Sequence, residues 1–127
     1  MLPLVTQSHD NELFCLTQNV YYEARAEPRA GKLAVALVTL NRTEDKRYPS
    51  TICGVVFQKK QFSWTTSYNK GGINMSQWRL SQEAALEAYM NRDILGSFKA
   101  THFHNTTVNP RWKLRKVAKI SNHIFYM

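Results

Sequence analysis

ELFCLTQNVYYEARAEPRAGKLAVALVTLN, running from Glu12 to Asn41, is the stretch on which the fold turns. Its first half, Glu12 to Arg25, places Leu13, Leu16, Val20 and Ala24 at three-to-four spacing, the pattern of a helix with one core-facing stripe. Asp10 and Glu12 stand at its start, where carboxylates complement the helix dipole, and Glu23 falls in its last turn. Glu27-Pro28 then breaks it, because proline disfavours helical geometry in the residue before it and suits the first turn of a new helix. That second helix is predicted over Ala30 to Asn41. Leu33, Ala34, Val35, Ala36, Leu37, Val38 and Leu40 make it apolar nearly all round, as in a helix buried through the middle of a domain.

Outward from this pair, Tyr48-Pro49-Ser50 reads as a turn, and Ser50 or Thr51 caps a short helix through Ile52, Val55, Val56 and Phe57. Lys59 to Ile73, with Gly71-Gly72 as a flexible point, reads as a loop or short strands that set Phe62, Trp64 and Tyr68 on a cleft wall. Ser76 to Asn91 is the clearest amphipathic helix, carrying Trp78, Leu80, Ala84, Ala85, Leu86, Ala88 and Tyr89, with Glu83 and Glu87 toward solvent. Thr101 to Asn105 and His123 to Tyr126 read as two short strands, pairing as an antiparallel hairpin across a basic connection. The expected class is α+β, mainly α, in a single domain spanning residues 1–127.

At 127 residues, 43% hydrophobic and 20% charged, the chain is long enough for one core without a scaffold of disulfides or a structural metal. No segment approaches the run of about 18 apolar residues that a membrane span requires. Met1 to Asp10 lacks the basic start and apolar centre of a signal peptide, so synthesis in a cytoplasm is expected. The net charge of +8 attracts polyanions, among which nucleic acid, lipopolysaccharide and anionic cell wall all qualify. That charge is largely C-terminal: no carboxylate side chain follows Asp93, whereas Lys99, Arg111, Lys113, Arg115, Lys116 and Lys119 are all cationic. Cys15 and Cys53 are too few for a disulfide framework and read as buried thiols, a single disulfide between them being the alternative.

Glu23, at the end of a core-facing helix and between aromatics and an arginine, is a candidate general acid, since burial raises a carboxyl pKa. The plainer alternative pairs it with Arg25 or Arg29 at the surface. Glu27 would share its face on an unbroken helix, but Pro28 interrupts that geometry and favours a structural role where the second helix begins. His102 and His104 alternate along a strand, so both leave one face, with His123 on the partner strand. Three imidazoles could hold zinc, although no HExxH-type spacing is present; the alternative is packing and hydrogen bonding. A Cys53–histidine nucleophile pair is disfavoured by the apolar helix around Cys53. Trp78 sits at helical spacing and reads as core. Trp64 and Trp112, in loop-like and basic surroundings, suit stacking on sugar rings.

Tyr22-Glu23-Ala24-Arg25, Glu27-Pro28, Gly31, Ala34-Val35-Ala36, Asn41-Arg42, Pro49-Ser50-Thr51-Ile52, Gln61-Phe62-Ser63-Trp64, Ala100-Thr101-His102-Phe103-His104-Asn105, Pro110-Arg111-Trp112 and His123-Ile124-Phe125-Tyr126 recur in order. In this the chain resembles the SleB-like cell wall hydrolases, which include spore-cortex-lytic enzymes and phage lysins. The resemblance implies a lysozyme-like fold related to goose-type lysozymes and lytic transglycosylases. It also implies cleavage between N-acetylmuramic acid and N-acetylglucosamine, with Glu23 as the catalytic acid of a Y-x-E-A-R motif. Two glycines of the family pattern are here Ala26 and Ser121, which tolerate a left-handed backbone poorly, so local geometry is expected to differ there. The expected substrate-binding set is Phe62, Trp64, Tyr68, His102, His104, Asn105 and Trp112, with no metal and no cofactor. A monomer is expected, acting on the wall in the manner of a compact phage endolysin and partnered by the glycan strand, with anionic wall or outer-membrane polymers beside it. The alternatives are a zinc-dependent amidase or peptidase built on the histidines and a non-enzymatic basic nucleic-acid-binding module.

Overall fold

Helix α1 (Gln7–Ala24) and helix α2 (Arg29–Thr43) are separated at Pro28, which stands extended before α2 while its carbonyl accepts the N–H groups of Gly31 and Lys32. The computed structural model of the protein describes residues 7–58 and 72–127. Among them, the remaining elements are α3 (Ile52–Val56), α4 (Met75–Met90), β1 (His102–Asn105), β2 (Lys116–Ile120) and β3 (His123–Tyr126). Thr51 caps α3 through the Gly54 N–H, and Asn74 caps α4 through the Gln77 N–H, each side chain satisfying an amide that the helix leaves unpaired.

α2 is buried around its circumference, as its composition predicts. One side meets Leu16 and Val20 of α1, Ile52 and Val56 of α3, and Ala84, Ala85 and Ala88 of α4. The other, through Ala34, Val35 and Val38, meets Ala100 and Phe125, with Phe98, Phe103, Ala118 and Ile120 packed alongside. The helix is thus a pillar between a helical layer and a small sheet. Each fully buried valine or leucine in it contributes roughly 1.5–3 kcal/mol. α4 occupies its predicted span to within a residue and turns its alanines to the core as expected, but two of its leucines stay outside. Ser81, Ala84, Ala85 and Ala88 are buried while Leu80 and Leu86 lie about half exposed, because small side chains let its axis approach α1 and α2 closely.

The predicted hairpin is a three-stranded antiparallel sheet in the order β1-β3-β2. β1 pairs with β3 as expected, His102 opposite Tyr126 and His104 opposite Ile124, but the basic connection itself supplies β2. Ser121 opens the β2–β3 turn at φ 51°, so serine holds the left-handed backbone that the family's glycine would take freely. Ala26 does not adopt positive φ, and alanine there is unstrained.

Cys15 and Cys53 are not free thiols but a disulfide closing a separation of 38 residues. The bond ties α1 to α3, and Glu12 reinforces it: its carboxylate accepts the N–H groups of Ile52 (2.5 Å) and Cys53 (3.0 Å). Among the described residues, no helix is long and apolar enough to cross a membrane.

Candidate active site

Glu23 sits half-buried in the last turn of α1. Burial pushes its carboxyl from the ordinary 4.5 up to about 7, with the Arg42 guanidinium pulling partly the other way. The surface pairings that would have made it an ordinary carboxylate are taken up elsewhere. Arg25 lies over the Tyr21 ring, 5.1 Å from its centroid, and Arg29 pairs with Glu87 and approaches Glu83.

Glu27 has the opposite character. It is 7% exposed, and its two carboxylate oxygens accept the backbone N–H and the side-chain amide of Asn122, both at 3.0 Å. Burial works to raise its pKa, but the Asn122 hydrogen bonds, with His123 and Lys32 nearby, outweigh it and hold the group below its ordinary value. Lys32 also donates to the Glu27 carbonyl. Gly31 makes the room: a Cβ there would stand 3.0 Å from the Glu27 Cβ. Two carboxyls four residues apart are therefore driven to different protonation states, Glu23 keeping its proton near neutrality and Glu27 staying ionised as the clamp on the β2–β3 turn.

The C-terminal end of α2 builds the next part of the frame. Asn41 donates to the carbonyls of Phe98 and Ala100, both at 2.8 Å, and Arg42 Nε donates to the Thr101 carbonyl at 2.7 Å, which fixes the chain as it enters β1. Arg42 lies over the Tyr48 ring, whose hydroxyl is 3.4 Å from His102 Nε2; Thr101 Oγ1 is 3.0 Å from His102 Nδ1. Burial, then Arg42 and Arg47, lower the His102 pKa, so the ring is neutral near pH 7.

His102 and His104 share one face of β1, as their alternation predicts, and Trp112 meets both at ring distances of 5.4 Å. His104 stacks on Tyr126, and Trp112 stands edge-on to Tyr126. His104 Nδ1 donates to the Asn105 carbonyl at 2.8 Å, and its Nε2 lies 2.8 Å from the Tyr126 hydroxyl. Arg111 precedes Trp112 in the left-handed region, φ 56°, and the strain is held where the chain turns Trp112 onto this face. With Trp112 still 38% exposed, the result is an aromatic platform with a free surface.

Phe62, Trp64 and Tyr68 lie outside the described residues. Asn105 is exposed, and its side-chain oxygen accepts the Thr107 N–H at 2.9 Å, so it shapes the turn after β1. His123 is on the opposite face of the sheet from His102 and His104, against Phe103 and 3.5 Å from Glu27, so the three imidazoles do not converge on one ion. Among the described residues, no group of three potential ligands could hold a metal. Sequence reasoning missed Tyr48 and Tyr126 as parts of the site. Their signal is tertiary: each acts through a histidine 54 or 22 residues away.

All nine Asp and Glu residues fall within the described residues. Besides Glu23 and Glu27, Glu12 is bound to α3, Glu44 to Arg92, Asp45 to Arg47, and Glu83 and Glu87 face Arg29; Asp10 and Asp93 are exposed.

Residues 26–126 match the Cell Wall Hydrolase family. The match begins just past Glu23, so the role of that residue rests on its surroundings. Spore cortex-lytic enzymes of Halalkalibacterium halodurans and Bacillus subtilis are each 34% identical over 119 residues, 91% of this chain; the chain spans only 34% and 37% of their lengths. Among solved structures, the catalytic domain of the germination-specific lytic transglycosylase SleB from Bacillus anthracis aligns with a TM-score of 0.76 at 27% identity. That alignment covers 99% of this chain and 100% of that one. The catalytic domain of the Bacillus cereus SleB protein aligns with a TM-score of 0.77 at 29% identity, covering 93% and 91%. The lysozyme-like fold expected from the resemblance is the fold these chains share.

Proposed function

The chain belongs to the cell wall hydrolase family, and on that premise we propose that it is a lytic transglycosylase that cuts the β-1,4 bond between N-acetylmuramic acid and N-acetylglucosamine. The observation that carries the reading is the contrast between its two neighbouring glutamates: Glu23 is held near pKa 7 by burial, while Glu27 is ionised and occupied. A carboxyl that keeps its proton near neutrality is matched to the task of a general acid. Glu23 would protonate the glycosidic oxygen as the bond to the muramic anomeric carbon breaks. The positive charge left on the sugar is shared by its N-acetyl group, and Arg42 stabilises the new Glu23 carboxylate. That carboxylate then takes the proton of the muramic 6-hydroxyl as its oxygen closes onto the anomeric carbon. The acid is restored, no water is consumed, and a 1,6-anhydromuramic end is left.

Retaining and inverting glycosidases need a second carboxyl about 5 Å or about 6.5–9.5 Å from the first. Here the other carboxylates are tied to helix ends, arginines or Asn122, or lie exposed, which supports one glutamate serving twice. The platform of His102, His104, Trp112 and Tyr126 would carry the sugar rings, and Phe62, Trp64 and Tyr68 would complete the glycan path. The cationic residues of the run Arg111 to Lys119 would hold the anionic wall, the proposed place of action. The relatives named are spore enzymes, so the phage-lysin setting expected from the sequence gains no support from them.

Digesting purified sacculi and weighing the released muropeptides tests the reading. Ends lighter by one water are expected; fully hydrated reducing muramic ends alone would point to a hydrolase with a second carboxylate.

A further inference from the structure

A cleft of about 500 Å³ lies beside the proposed active site, lined by Asn41, Glu44, Asp45, Lys46, Lys99 and Thr101. A smaller hollow of about 160 Å³ adjoins it and shares Asn41, Glu44 and Lys99. Thr101 connects the cleft to the site directly, since its hydroxyl sits against His102 and its carbonyl takes Arg42. The acids of the cleft are already neutralised. Glu44 is paired with Arg92 at 2.8 Å, and Asp45 holds both the backbone N–H and the guanidinium of Arg47. Among the described residues, neither Lys46 nor Lys99 has an ion-pair partner, and both are exposed. The cleft therefore offers two free ammonium groups, rimmed by the polar side chains of Asn41 and Thr101, to whatever enters it.

We infer that this cleft binds a carboxylate of the peptide that branches from muramic acid, so that the enzyme selects peptide-bearing over peptide-free glycan. The inference rests on the glycosidase reading above. A muramic residue held at Glu23 must send its peptide off the line of the glycan, and this cleft begins one residue from His102. Its volume is within the roughly 300–1,000 Å³ of small-ligand sites. Its charge suits an anion, and its polar walls suit a peptide better than a sugar face or an apolar group.

The test compares two substrates made from one preparation: glycan strands carrying their peptides, and the same strands stripped by an amidase. Wild type should cut the peptide-bearing strands faster. Lys46→Gln and Lys99→Gln should each reduce that preference by up to about fivefold, the scale of a partly screened ion pair, and act on KM rather than kcat while leaving cleavage of stripped strands unchanged. No preference in wild type, or an equal preference in the double variant, would overturn the inference. Wild type that cuts neither substrate would overturn the glycosidase reading instead. Co-sedimentation of the Glu23→Gln protein with both strands then still decides the cleft: retention favouring peptide-bearing strands and abolished by the two lysine substitutions supports it, and equal retention sinks it.

Discussion

Replacing Glu23 by glutamine should make the protein inactive and, above neutral pH, more stable. In the unfolded chain the carboxyl ionises near 4.5; in the fold it does so only at about 7. Below pH 4.5 both states hold the proton and the residue contributes nothing to the pH dependence. Between the two values the unfolded state releases its proton while the folded state keeps it, so stability falls as pH rises. At ~1.4 kcal/mol per tenfold, the rise to about 7 means a loss of about 3 kcal/mol by pH 8. Glutamine cannot ionise and escapes that loss. Any cost of burying its amide is common to both pH values and cancels in the difference. Urea denaturation of wild type and Glu23→Gln at pH 4 and pH 8 should therefore show the variant gaining about 3 kcal/mol on wild type between the two. That is roughly 10 °C in Tm for a chain of this size. Turnover of sacculi should drop by at least ~10²-fold, and the wild-type rate should decline above pH about 7. A stability difference that does not change with pH would refute the claim that Glu23 is protonated in the folded protein, and with it the acid assignment.

Glu27→Gln should behave oppositely, destabilising the protein by about 2 kcal/mol at neutral pH through its weakened hold on Asn122, with activity per folded molecule nearly kept. Because its pKa is lowered, the stability it supplies is present above the unfolded value and fades as pH falls through the folded one, so the variant and wild type should converge in acid melts. Breaking the Cys15–Cys53 bond, by reductant or paired serine substitution, should cost roughly 2–4 kcal/mol in a denaturant melt. An unchanged midpoint would mean that the bond does not form. Ser121→Gly should raise stability by up to ~1 kcal/mol, since glycine takes the φ 51° turn without strain; a lower midpoint would contradict the left-handed assignment.

The helices were legible because their signals are local: the apolar run of α2, the proline between α1 and α2, and the Thr51 cap each act within a turn or two. Glu23 was legible as a candidate acid, but the extent of its desolvation was not, since that depends on what packs around it. Other features depend on partners far along the chain. Asn122, which holds Glu27, is 95 residues away, and no sequence period announces it. The disulfide joins cysteines 38 apart that looked like inert core thiols. β2 escaped notice because Lys116-Val117-Ala118-Lys119-Ile120 is mostly exposed and carries a register shift between Lys116 and Ala118, which blurs alternation. Leu80 and Leu86 of α4 lie off its packed face because residue size, more than hydrophobicity, decides which side of a helix fits against close neighbours.

The position of β2 has a consequence for the protein's life at high concentration. In the order β1-β3-β2 it is an outer strand, and among the described residues nothing pairs with its far side. An unpaired strand edge invites another chain to add on, and self-recruitment of that kind is how sheet proteins begin to aggregate. Lys116 and Lys119 put two like charges on a five-residue strand, and the shifted register interrupts its regularity. Two copies brought edge to edge would oppose lysine with lysine over an irregular ladder. The residues proposed to grip a polyanionic wall thus also keep the sheet closed to its own kind.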